Sequence, residues 1–148
     1  ESSTVRPGDR AAMAQTPWGG LGLTVCYDIR FPHLYRQLAK AGAAMIAVPA
    51  AFTVPTGEAH WETLLRARAI ETGAFILAPA QGGTHEDGRR TWGRSTVVGP
   101  WGEIVAKADH DDPCVVPATL DLTAVARARA AVPALTHDRD FSPVLDPS

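Results

Sequence analysis

The amino-acid sequence predicts an α/β fold, and three observations carry that expectation. Short apolar runs at 21–25, 44–48 and 74–78 have the length and side-chain content of buried strands. Segments with apolar residues at three- and four-residue spacing lie between them. Gly or Pro punctuates the junctions, as at Pro32, Gly42, Pro49 and Gly73. A strand, a helix of about ten residues and a second strand form a βαβ unit, with parallel strands and a right-handed crossover.

Residues 11–15 read as a first strand, and Thr16-Pro17-Trp18-Gly19-Gly20 as the turn into the strand at 21–25. Pro32 is suited to open a helix, because its fixed φ fits the first turn and its missing N–H costs nothing there. The helix is expected over 33–41, with Leu34, Leu38 and Ala41 on one face, Arg36 and Lys40 on another, and Gly42 as the stop. A strand at 44–48 ends at Pro49, and 50–57 reads as a loop. Residues 58–72 predict a second helix with an apolar stripe of Trp61, Leu64, Leu65 and Ala69. Glu62 with Arg66, and Arg68 with Glu71, stand at helical pairing distances. After the third strand at 74–78 comes a polar loop, 84–90, expected as a pocket rim. Two strands, 95–98 and 103–106, flank a hairpin at Gly99-Pro100-Trp101-Gly102. A further strand is expected over 115–120, and a short Ala/Arg helix over 122–131. Residues 133–148, rich in Pro and Asp, are expected to run over the surface or a neighbour.

The 148 residues suffice for one domain with a real core, and 45% hydrophobic with 20% charged residues is ordinary for a globular protein. A net charge of -2 offers no basic footprint for nucleic acid and no cationic face for a membrane. No apolar run has the length of a membrane span. The opening Glu-Ser-Ser-Thr does not have the form of a secretory signal. Cys26 and Cys114 are far apart and have no neighbouring Cys or His at ligand spacing, which argues against a disulfide framework or a metal site. The expected setting is reducing and cytoplasmic.

Cys26 draws the functional reading. It stands at the carboxyl end of a predicted strand, on the turn into a helix, the edge where open α/β sheets bind ligands. A thiol there meets a substrate, and the backbone N–H of Tyr27 faces a developing oxyanion. The plain alternative is a free, inert thiol. Because parallel strands put their carboxyl ends on one edge, Cys26, the Phe52-Thr53 loop and Gln81-Gly82-Gly83 are expected to converge on a pocket. Pairing of Cys26 with His33, His60 or His85 is a local alternative that no spacing fixes.

Cys26-Tyr27-Asp28-Ile29-Arg30-Phe31-Pro32 resembles the nucleophile motif of the nitrilase superfamily, the carbon–nitrogen hydrolases, and within it the Nit-type amidases. Gly57-Glu58-Ala59-His60-Trp61-Glu62, Arg66-Ala67-Arg68-Ala69-Ile70-Glu71, Trp92-Gly93-Arg94-Ser95 and Pro100-Trp101-Gly102 resemble the same branch, in order, from residue 1 to about Phe141. The resemblance implies a nitrilase-like α-β-β-α sandwich. It also implies that residues 1–148 are the C-terminal part of that domain, because the chain starts without Met and enters in the middle of a motif. Taken alone, such a piece is expected to be inactive and marginal in stability.

The superfamily uses a Glu base, a Lys and a Cys, with a second Glu nearby. By resemblance Cys26 is the nucleophile that forms a thioester as ammonia leaves, and Tyr27 supplies an oxyanion N–H. Glu1, at the family's Glu-Ser interval before the nucleophile, takes the accessory acid's place. Lys40 and Lys107, the only lysines, both follow Cys26 in the wrong surroundings, so the family's Lys and first Glu have no match in this chain. Arg30 matches a position that meets a substrate carboxylate in some relatives, although an Asp28–Arg30 ion pair is the simpler expectation. Phe52 and Thr53 are pocket candidates. Glu62, Arg66, Arg68 and Glu71 read as a structural ladder, and Cys114 as inert and away from the predicted edge. The implied substrate is a linear amide of a small carboxylate-bearing compound, such as an ω-amide of a 2-oxo acid or deaminated glutathione. No cofactor is implied, since the thiolate acts without metal or nucleotide. A homodimer is implied through helices near the nucleophile, with Tyr35, Arg36 and Leu38 near its seam. N-carbamoyl amino acid hydrolysis, nitrile hydrolysis and a non-catalytic interaction module are the alternatives.

Overall fold

The computed structural model describes residues 6–140. Two hairpin strands open it, β1 (Ala12–Thr16) and β2 (Gly19–Leu23), paired antiparallel with Met13 opposite Gly22. A 3-10 turn (Cys26–Arg30) and helix α1 (Pro32–Lys40) lead to β3 (Ala43–Ala47). A helical turn α2 (Val54–Thr56), a π-turn (Gly57–Trp61) and helix α3 (Glu62–Thr72) then lead to β4 (Phe75–Ala78). A short hairpin, β5 (Gly82–Thr84) and β6 (Arg90–Trp92), precedes β7 (Thr96–Val98), β8 (Ile104–Lys107) and helix α4 (Thr123–Ala131).

Six of the strands form one sheet in the order β1-β2-β3-β4-β7-β8, and β5 pairs only with β6. The expected βαβ arrangement is present: β2, β3 and β4 run parallel, with Met45 opposite both Leu21 and Phe75. Strands β7 and β8 continue the sheet antiparallel. Successive residues of β4 point to opposite faces. Ile76 enters a core with Leu38 of α1 and Trp61, Leu65 and Ala69 of the α3 segment. Phe75 enters a second cluster with Met45 and Val125 of α4. Arg129 of α4 donates to Thr72 O and Ala43 O, tying that helix to the end of α3.

Several expectations are corrected. Strand β2 ends at Leu23, so Cys26 lies three residues past it, as the first residue of a 3-10 turn. The second helical segment begins at Val54 rather than 58, because Pro55 suits a first turn. Gly57 lets that turn close on β6: a Cβ there would stand 2.2 Å from the Cβ of Trp92. The polar loop at 84–90 is the tip of the β5–β6 hairpin. Residues 115–120 form no strand, and Val115 is 91% exposed. An apolar run becomes a strand only where another strand offers its ladder; none does so here among the described residues, and Pro117 has no N–H to give one. Tyr35 and Leu38 are buried inside the protomer, which leaves Arg36 alone of the three partly open for any seam. Residues 133–140 lie against α1, where Arg36 donates to Ala134 O, and Arg36 and Lys40 both pair with Asp138. No helix among the described residues is long and apolar enough to cross a membrane.

Candidate active site

The carboxyl ends of β2, β3 and β4 continue past the strands as one hydrogen-bonded surface. Thr24 and Cys26 donate their amides to Ala47 O and Pro49 O, and Val48 and Ala50 donate to Leu77 O and Pro79 O. Gln81 donates back to Ala50 O, and Gly93 to Gln81 O. Three separate loops are thereby held edge to edge, which is how order along the chain becomes proximity in space.

Cys26 sits at the start of this surface with φ 46, one of two non-glycine residues in the left-handed region among the described residues. That conformation is uncommon for a residue with a Cβ and costs on the order of 1 kcal/mol or more, so the surroundings must hold it. Val25 donates its amide to the Asp28 carboxylate at 2.8 Å, and Asp28 donates its own amide to Val25 O at 2.9 Å. Asp28 therefore closes the turn on itself and makes no ion pair with Arg30, contrary to the simpler expectation. Among the described residues the Tyr27 N–H has no backbone acceptor, whereas those of Cys26 and Asp28 are both taken. The thiols of Cys26 and Cys114 are free.

Cys26 opens on a cleft of about 940 Å³ whose walls come from Pro49 to Ala51, Pro79 to Gly82, Gly93 to Ser95, Ala108 and His110 to Cys114. His85 and Arg89 of the β5–β6 hairpin line its rim, as the polar composition of that loop suggested. Arg94 lies over the Trp92 ring at 5.3 Å and pairs with Asp111 at 2.8 Å. Ser95 Oγ accepts the amide of Ala80, fixing the loop after β4. Cys114 lines the same cleft, so it is not remote from the strand-end edge as the sequence suggested.

Three of the other expected residues, Tyr27, Arg30 and Phe52, gather beside the turn and outside the lining of that cleft. The Arg30 guanidinium lies 5.4 Å from the ring centroids of both Tyr27 and Phe52, and Tyr27 packs edge-on against Phe31 at 5.7 Å. Phe52 is itself buried against Trp61. Arg30 Nη2 lies 3.3 Å from Nδ1 of His60. Thr53 exchanges a hydroxyl hydrogen bond with Thr56. Tyr27, Arg30 and Phe52 thus form one stacked cluster, while neither Phe52 nor Thr53 lines the cleft that holds Cys26. Glu1 lies outside the described residues.

Behind the turn is a buried polar group that periodicity did not single out. Thr24 Oγ1 donates to Ala47 O at 2.8 Å, so the 2.7 Å bond between Thr24 and Tyr35 has the tyrosine hydroxyl as donor. Arg68, 5% exposed, donates from Nε to Ile29 O at 2.9 Å and from Nη1 to Glu71 at 2.8 Å. The expected Arg68–Glu71 pair is therefore present, whereas Glu62 pairs with Lys107 and Arg66 donates to Gly102 O. The one available signal for this group was polar: Thr24 is a hydroxyl in an apolar run, and Arg68 falls beside the buried stripe of its helix.

Comparison with known proteins gives concordant matches. The family described as carbon-nitrogen hydrolase matches residues 1–130. The deaminated glutathione amidase of Yersinia enterocolitica is 49% identical over 142 residues, covering 96% of this chain and 49% of the relative. The crystal structure of the Caenorhabditis elegans NitFhit protein superposes with a TM-score of 0.88 at 44% identity, over 94% of this chain and 34% of that one. An amidase from Nesterenkonia sp. AN1, captured after Michael addition of acrylamide at its active site cysteine, superposes with a TM-score of 0.73 at 30% identity, over 89% and 51%. The chain spans about half the length of the curated relatives it matches first.

Proposed function

The chain belongs to the carbon–nitrogen hydrolase family, and from that premise we propose that the protein carrying it is an amidase acting on linear amides of small, carboxylate-bearing compounds, with Cys26 as nucleophile. The observation that supports this most directly is the Cys26 backbone, held at φ 46 at the carboxyl edge of three parallel strands and open to a polar cleft.

In this reading the Cys26 thiolate adds to the amide carbonyl carbon, and the electron pair of the C=O moves to oxygen. The Tyr27 N–H stabilises that oxyanion. Collapse of the adduct expels the nitrogen, which takes up a proton and leaves as ammonia, and the acyl group remains on sulfur as a thioester. Water then adds to the thioester, releasing the carboxylic acid and restoring the thiol. The proton transfers need a base and a donor that the family's Glu and Lys supply, and neither has a match within these 148 residues. Glu1 takes the accessory acid's role. Arg30, with Tyr27 and Phe52 stacked about it beside the turn, is the candidate to receive a substrate carboxylate that extends out of the cleft past Cys26, and Thr53 remains a pocket candidate by the family resemblance alone. The names of the matched relatives favour deaminated glutathione or a similar ω-amide. We place the protein in the cytoplasm, in keeping with its free thiols, and as a homodimer on the family resemblance alone.

The test uses the protein expressed from its complete reading frame, with ammonia release measured on deaminated glutathione and on 2-oxo ω-amides. Cys26→Ala is expected to cut release to below about one-thousandth of the native rate while leaving the fold intact. Release that survives the substitution rejects Cys26 as nucleophile. A folded protein that turns over no amide rejects the amidase reading, and carbamoyl compounds and nitriles are then assayed in the same way.

A further inference from the structure

The backbone on both sides of Cys26 is held by side chains from two different helices, and those side chains meet each other. Two residues before Cys26, Thr24 accepts the Tyr35 hydroxyl of α1 and donates to Ala47 O of β3. Three residues after it, Ile29 O accepts Nε of Arg68 from α3. The Arg68 guanidinium lies 5.7 Å from the centroid of the Tyr35 ring, so the two anchors are stacked. Tyr35 is fully buried and Arg68 nearly so. Among the described residues no buried side-chain nitrogen or oxygen lacks a partner, and in this group the Tyr35 hydroxyl, Thr24 Oγ1 and two Arg68 nitrogens are engaged. A buried network of this kind holds one geometry sharply, because displacing it leaves donors or acceptors unpaired in a place without water.

Such a brace matches what the turn requires. A cysteine at positive φ relaxes toward ordinary backbone angles unless its flanks are fixed. Hydrogen bonds at Thr24 and Ile29 fix both flanks without touching the thiol or the cleft. Glu71, half-exposed at the outer end of Arg68, orients the guanidinium from the solvent side.

We propose that Arg68, oriented by Glu71 and stacked on Tyr35, is a positioning residue that holds the Cys26 turn in its reactive conformation. The role rests on Cys26 being the reacting thiol, and it assigns Arg68 no contact with substrate.

The test compares Arg68→Lys and Glu71→Ala with Glu62→Ala in the protein expressed from its complete reading frame. Glu62 is the matched control, a half-exposed acid on the same helix whose partner, Lys107, is away from the turn. Two readouts are taken: kcat and KM for amide hydrolysis, and the rate of iodoacetamide alkylation of Cys26 relative to Cys114 in the native protein, resolved by peptide mass spectrometry. Arg68→Lys is expected to lower kcat about tenfold or more with KM within about twofold, and to lower the alkylation ratio about threefold or more. Glu71→Ala is expected to move both in the same direction by about a third as much on a logarithmic scale. Glu62→Ala moves neither. A ratio unchanged or raised in the folded variants overturns the proposal, as does a fall in kcat matched by Glu62→Ala. If Arg68→Lys fails to fold, Glu71→Ala decides, since its side chain is half in solvent. If native protein hydrolyses no amide, the alkylation ratio alone decides, which separates failure of the positioning role from failure of the amidase reading.

Discussion

The inner side of the Cys26–Arg30 turn and its outer side are built from opposite materials. Inward lie Ile29, Thr24, Tyr35 and Arg68, all buried, joined by hydrogen bonds of 2.7 to 2.9 Å. Outward lie Tyr27, 61% exposed, Phe31 and Arg30, joined by ring faces and edges 5.4 to 5.7 Å apart. Hydrogen bonds between buried groups are short and directional and resist sliding. A guanidinium between two rings keeps most of its attraction when it shifts in plane. The inner side is suited to holding one backbone geometry, and the outer side to accommodating a ligand. Rigidity and adaptability are separated by the thickness of a single turn.

Three substitutions sharpen that contrast. The largest effect is expected from Ile29→Ala, which removes a fully buried side chain from the inner side and costs about 3 kcal/mol in denaturant unfolding. A cost under about 1 kcal/mol would show that the inner side collapses around the loss and is not rigid. Next, Arg30→Gln on the outer side is expected to raise KM for carboxylate-bearing amides about tenfold. Neutral amides of the same length should be unaffected, with unfolding free energy within about 0.5 kcal/mol of native. An equal change for neutral amides would remove the carboxylate from the account. The smallest effect belongs to Tyr35→Phe, about 1 kcal/mol, because Thr24 keeps Ala47 O as its acceptor and no donor is stranded.

Tyr35 also carries a pH signature. Burial pushes its phenol well above the ordinary value of 10.0, with Asp28 adding to the rise and Arg68 opposing it. A group whose folded pKa is raised contributes stability that is fully present below its unfolded pKa. That contribution is lost as pH rises from about 10 toward the folded value. Native protein should therefore lose stability above about pH 10 more steeply than Tyr35→Phe, measured by denaturant midpoint against pH. Parallel curves would mean that another group governs the alkaline limb.

The parallel middle of the sheet was legible because it rests on signals carried by single segments, such as the β4 apolar run and Gly73 after α3. The convergence of Cys26 with Gln81 and Gly82 followed from chain order alone, since parallel strands share a carboxyl edge. What escaped depended on partners far away in sequence. Asp28 and Arg30 suggest an ion pair by proximity, but the carboxylate finds the Val25 amide first, and the guanidinium finds two rings. The Val115-Val116 start of 115–120 is strand-like, yet pairing is a property of two segments and not of one. Arg68 and Glu71 were readable as a helical pair, whereas the burial of Arg68 and its reach to Ile29 O exist only once α3 has packed on the turn. The β5–β6 hairpin was hidden because its strands are three residues each and Gly82-Gly83 has no strand preference.

The left-handed backbone at Cys26 also bears on descent. Glycine and asparagine adopt that conformation with little strain, so the fold by itself favours either of them at position 26. On the reading of Cys26 as nucleophile, a use for sulfur opposes that drift. A relative with Gly or Asn at position 26 should then be more stable toward denaturant and inactive on amides. The angle at a single residue thus sets a stability cost against a chemical use.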